Sequence, residues 1–208
     1  MKRRHSILIR ITAVVVAATV VAAGSGQAHA QSASESVASG TLRVDGVMRR
    51  YQFRRLPVSS FPEIPSRIAA VLTERGCMIP QTWQAHRPEN VIHGSFKHAG
   101  TEDWAMLCSV HGTTSLLVFL ADAPVASPTE LAQWQETARL QAHDPSGVLG
   151  FNWGIDAATP RQFHDAFASQ SSPPATPDHD AVADSVIDTR TTYHLWMQGQ
   201  WQIFEADQ

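Results

Sequence analysis

The stretch GCMIPQTWQAHRPENVIHGSFKHAGTEDWAMLCSVHGTTSLLVFLAD, residues 76–122, decides the fold. It holds the only two cysteines, Cys77 and Cys108. Asn90 to Phe96 and Trp104 to Cys108 read as strands, with His98 to Glu102 as the turn between them. Ser115 to Leu120 is a continuous apolar run, the pattern of a strand buried on both faces, and His111-Gly112-Thr113 supplies the turn before it. Cys77 follows a helical segment, Pro62 to Arg75, whose Ile64, Ile68, Val71 and Leu72 share one face and which Gly76 closes. A disulfide between Cys77 and Cys108 then staples a helix to a sheet, and loop closure of this length contributes about 3–4 kcal/mol. The alternative, a free catalytic thiol, needs a base, and nothing in the sequence marks a histidine for that task.

Outward from this core the chain shows hairpins and short helices. Thr41 to Arg55 reads as a hairpin about an Asp45-Gly46 turn, and Thr191 to Phe204 as another about Gln198-Gly199. The second turn sets Trp196 opposite Trp201, His194 opposite Ile203, and Tyr193 opposite Phe204 on the other face. Ser127-Pro128-Thr129-Glu130 is a capping box that predicts a helix carrying Leu131, Trp134 and Ala138. Thr159-Pro160-Arg161-Gln162 predicts a shorter one with Phe163, Ala166 and Phe167 on its apolar side. Strands and helices alternate without a regular βαβ rhythm. The expected class is α+β, with a mostly antiparallel sheet, a few short helices and one disulfide.

Residues 1–30 read as a signal peptide: Lys2, Arg3, Arg4 and Arg10, an apolar run from Ile11 to Ala23, then Ala28-His29-Ala30 before the cut. A run of thirteen residues is too short for a membrane span. Residues 31–39 are a polar tail with nothing to bury, expected disordered; 40–208 form one domain, with a Ser/Pro linker at 169–178. Removing the four basic residues of the leader leaves twelve Lys and Arg against nineteen Asp and Glu, a net charge of −7. That balance argues against a nucleic-acid partner. No later run is long and apolar enough to cross a membrane, so a periplasmic or secreted monomer is expected.

Candidate site residues are few. Trp196 and Trp201 would form an aromatic platform for a sugar, although cross-strand aromatic pairs more often stabilise the sheet itself. Arg49, Arg50, Arg54 and Arg55 make one basic patch on an acidic chain, either a solvated strand face or a dock for an anionic envelope polymer. Asp178, Asp180 and Asp184 are the best candidates for calcium, because alternating carboxylates suit a hard cation. Val182 between Asp180 and Asp184, and the missing turn glycine, count against them, and no cofactor is otherwise expected. His93, His98 and His111 lie inside the cysteine-bracketed segment without a zinc-type spacing.

The segment Asn90 to Leu107, through Gly94, Phe96, Gly100, Asp103 and Ala105, resembles an FG-GAP/VCBS-type β-repeat. That family builds propeller blades and often holds calcium through loop aspartates. Here the loop reads Lys97, His98 and Ala99, and one copy cannot close a propeller. More broadly, Gly-Cys-x-Ile-Pro-Gln at 76–81, Asp-Trp-Ala-x-Leu-Cys at 103–108, Asp178-His179-Asp180 and Gly199-Gln200-Trp201 are similar to a group of uncharacterised exported bacterial proteins. The resemblance implies a common fold and transfers no functional residue.

These readings converge on an exported, non-catalytic binding or interaction module of the cell envelope, its partner an envelope protein or glycan. A hydrolase acting on cell-wall or polysaccharide material would instead bring Asp103, Asp178 or Asp180 to His93 in one cleft. A periplasmic enzyme inhibitor would present Ala142 to Gly154 as a protruding loop.

Overall fold

The computed structural model describes residues 34–207, so the leader sequence lies outside the described residues. Strands β1 (Ser36–Val44) and β2 (Val47–Pro57) form the first hairpin, in register from Val44 opposite Val47 to Ser36 opposite Arg55. Asp45 and Gly46 both take positive φ, 49° and 80°, as the tight turn between twisted strands requires. The expected disordered tail gives way here, because Ser36–Ser39 belong to β1. Pairing with the long β2 satisfies their backbone groups, and Ala38 is buried opposite Phe53.

Helix α1 (Ser66–Glu74) buries Ile68 and Leu72 and ends at Gly76, whose φ is +72°. Cys77 follows and is bonded to Cys108. After β3 (Met78–Pro80) and β4 (Val91–Gly94) come β5 (Asp103–Val110) and β6 (Thr113–Phe119), joined by a His111-Gly112 turn of the same type. The helix expected from the capping box at 127–130 is absent. Residues Thr129–Gln135 are instead strand β7, antiparallel to β6, followed by a 3-10 turn at Glu136–Arg139. Cap chemistry is a local preference, whereas the open edge of β6 offers a full row of backbone partners.

Strands β8 (Leu140–Ala142) and β9 (Leu149–Phe151) are followed by β10 (Trp153–Ala158). The stretch expected as a loop, 142–154, divides: residues 143–148 are a largely exposed connection between β8 and β9, whereas Leu149, Phe151 and Trp153 are buried in strands. Helix α2 (Pro160–Phe167) begins at Thr159, whose side chain accepts from the Gln162 backbone N–H while the Gln162 side chain reaches back. An exposed, irregular connection then leads to β11 (Ala181–Val186), β12 (Arg190–Met197) and β13 (Gln200–Asp207). Trp196 faces Trp201, His194 faces Ile203 and Tyr193 faces Phe204, the register that the Gln198-Gly199 turn dictates.

Two sheets result. The larger runs β7-β6-β5-β3-β2-β9-β8, with β1 paired to β2 and β4 to β5; all pairs are antiparallel except β2 with β9. The smaller is the meander β10-β11-β12-β13. Side-chain alternation sorts the core into three layers. Trp104, Met106, Cys108, Leu117 and Phe119 pack with Ile68 and Leu72 of α1. Ala105, Leu107, Leu116 and Val118 face the second sheet's Trp153, Ile155 and Val182. Ala181, Ala183 and Leu195 cover Phe163 and Phe167 of α2. The order is helix, sheet, sheet, helix. It explains why β5 is buried along nearly its whole length: both of its faces carry a layer. The molecule is sheet-rich and mostly antiparallel, with one disulfide.

Candidate functional site

Trp196 lies at the rim where the two sheets meet. Its ring stands edge-on to Trp201, centroids 5.6 Å apart, and the Lys97 ammonium sits 5.3 Å from its centre. A groove of about 440 Å³ opens beside it, lined by Lys97, His98, Asp178, His179, Trp196 and Met197 among others. Its walls are fixed. One ring nitrogen of His179 donates to the Trp196 carbonyl at 3.0 Å, the other meets the Asp178 carboxylate at 2.8 Å, and Lys97 pairs with Asp122 at 2.7 Å. Hydrogen bonds from Lys97 to Asp122 and from His179 to Asp178 hold both carboxyls below their ordinary value. Trp201 plays a different part. It packs against the inter-sheet core, with its indole nitrogen buried, so the two rings do not form a flat platform. Lys97 and His179 escape a sequence reading as neighbours of Trp196 because they reach it from other segments, and His98 lines the same groove.

The three aspartates proposed for calcium part company. Asp178 is exposed beside His179; Asp180 accepts from the Ser95 backbone N–H at 2.9 Å. Asp184 is buried between the sheets, accepting from the Trp153 indole at 2.6 Å with His194 at 3.4 Å. They fall on different elements because β11 starts at Ala181 and turns Asp184 inward. Among the described residues no group of three or more His, Cys, Asp or Glu is placed to hold a metal ion.

The residues named for hydrolysis are engaged elsewhere. Asp103, only 1% exposed, accepts from the backbone N–H groups of Phe96, Lys97 and Ala121 and from the Thr101 hydroxyl, so its carboxylate organises the β4–β5 loop. His93 packs on Trp104, its cross-strand partner. Buried Arg139 lies between the rings of Trp134 and Trp153, 4.5 and 4.8 Å from their centres.

The single arginine patch divides in two, because alternate residues of a strand face opposite ways. Arg55 turns to the partly buried side and forms a fork with Glu136, which also accepts from Ser109. Arg49 lies on that same face, close to Gly147. Arg50 and Arg54 stand on the opposite, exposed face, where β1 adds Arg43, a residue outside the expected patch.

Set against known proteins, the chain matches no family model, no curated protein and no solved structure.

Proposed function

We propose that the chain is an exported, non-catalytic binding module of the cell envelope. The observation that carries this reading is the Trp196 groove: an open concavity with an aromatic wall, charged side chains of both signs, and a His179 ring bonded to the Trp196 carbonyl at its edge. Binding sites of this kind combine an apolar surface for contact with a few placed polar groups for orientation. The disulfide accords with work outside the cytoplasm. The α+β class is part of the same reading, as is kinship with single FG-GAP-like repeats through the β4–β5 hairpin.

The test is co-sedimentation of the chain lacking residues 1–30, disulfide formed, with purified peptidoglycan sacculi and with outer-membrane vesicles. Retention that Trp196→Ala abolishes without lowering the melting temperature supports the reading. Trp201→Ala should instead lower the melting temperature, since that ring belongs to the core. Failure to bind either material, or release of soluble fragments from the sacculi, overturns it.

A further inference from the structure

We propose that a second groove, along the outer face of β2, binds an extended anionic polysaccharide, a chain of carboxylate-bearing sugar rings. This rests on the binding-module reading and assigns a ligand class to a surface distinct from the Trp196 groove.

Two adjoining concavities, of about 270 and 430 Å³, share Gln52 and Val148 and so run on from one another along the strand. Arg50, Gln52 and Arg54 line them from β2, all exposed and on one face. The far wall is a parallel stack of Trp83 on His143, centroids 4.9 Å apart and planes 6° from parallel. That stack depends on Gly150. A Cβ there would stand 2.6 Å from Trp83 Cβ and 2.9 Å from His143 Cδ2, so only glycine lets the two rings close over the strand. The Trp83 backbone N–H, bonded to the Phe151 carbonyl at 3.0 Å, fixes the base of the wall.

The charge is local: Arg43 donates to the Gly46 carbonyl at 2.8 Å and Arg54 to the Ala85 carbonyl at 3.4 Å, neutral acceptors that leave both guanidinium charges in place. Among the described residues, Glu35, 3.6 Å from Arg54 and itself exposed, is the only carboxylate within ion-pair distance of Arg43, Arg50 or Arg54. Asp144 borders the stack, 3.8 Å from His143, and its carboxylate accepts from the Ser146 backbone N–H. On a chain whose charge is otherwise acidic, three arginines on one exposed face select an anion.

The shape selects its kind. Arg50 and Arg54 are four residues apart on a strand, about 13 Å, which suits a ligand with repeated charges better than a single compact ion. Planar guanidinium groups match carboxylates two hydrogen bonds at a time. The indole and imidazole offer an apolar wall with polar edges, and the Gln52 amide between the arginines can both donate to and accept from hydroxyls. A nucleic-acid strand is disfavoured by the acidic balance of the rest of the surface.

Calorimetric titration tests this with oligogalacturonate of defined length as the probe. A neutral cello-oligosaccharide, polyglutamate and oligo-dT serve as comparisons. The expected result is binding of oligogalacturonate alone, weakened about tenfold by Arg50→Gln and by Arg54→Gln. Trp83→Ala should weaken it about as much, and Trp196→Ala should leave it unchanged. The arginines lie on an exposed face, so their variants should melt as the parent does, which keeps the test valid if Trp83→Ala unfolds. No binding of oligogalacturonate, or binding indifferent to both arginines, overturns the proposal. Equal binding of polyglutamate or oligo-dT also overturns it, by reducing the groove to a general polyanion contact. Retention on sacculi through Trp196 without affinity for oligogalacturonate removes this inference and leaves the binding-module reading standing.

Discussion

Single carboxylates do much of the organising in this molecule. Asp103 gathers three backbone N–H groups and one hydroxyl at 2.8–3.0 Å, and its removal leaves four donors to find water. Asp103→Ala should cost about 3 kcal/mol in urea unfolding, and Asp103→Asn, which keeps an acceptor in place, roughly half of that. At the Trp196 rim the carboxyls of Asp122 and Asp178 titrate below their ordinary value of 3.8, through hydrogen bonds from Lys97 and His179. A lowered native pKa means that the unfolded chain takes up the proton first. The contribution of these contacts is therefore complete above the ordinary value and is lost as pH falls through the native one. Side-chain carboxyl resonances followed by NMR should show both midpoints below 3.8; a midpoint at or above it would remove the corresponding bond. None of these roles is visible in the sequence, where Asp178, Asp180 and Asp184 stand out by spacing alone. Spacing does not say that Asp184 faces inward to Trp153 while Asp178 faces water.

At the scale of elements, legibility follows the range of the deciding interaction. The turns at Asp45-Gly46, His111-Gly112 and Gln198-Gly199 fix their own registers, since two residues of positive φ leave one way to pair the flanking strands. The cap at Thr159 is likewise self-contained, and Thr159→Ala should lower stability by about 1 kcal/mol, read as a shifted urea midpoint at unchanged slope. The same chemistry at 127–130 misleads, because the partner that decides that segment, β6, lies more than ten residues upstream. The Trp83–His143 wall is hidden for a similar reason: it joins residues 60 apart through a glycine that belongs to neither segment. Alternation along β2 is in the sequence and divides the arginines correctly once the strand is drawn.

The whole molecule is braced at one point. The Cys77–Cys108 bond joins the end of α1 to β5, the strand at the centre of two layers, across a sequence separation of 31. Reduction should cost about 3–4 kcal/mol and lower the melting temperature by about 10 °C. A scan with and without reductant measures this. A shift under a few degrees would mean that packing alone holds α1 to the sheet.

The two sheets also differ in when they can exist. A chain emerges from the ribosome N-terminus first, and the larger sheet is complete once β9 has appeared at residue 151. Its inner face, Ala105, Leu107, Leu116 and Val118, has no cover until the meander of residues 153–207 arrives. That meander is built from neighbours in sequence and can form quickly. For the interval between, a nascent chain carries a bare apolar sheet, the surface on which chaperones act and from which aggregation starts.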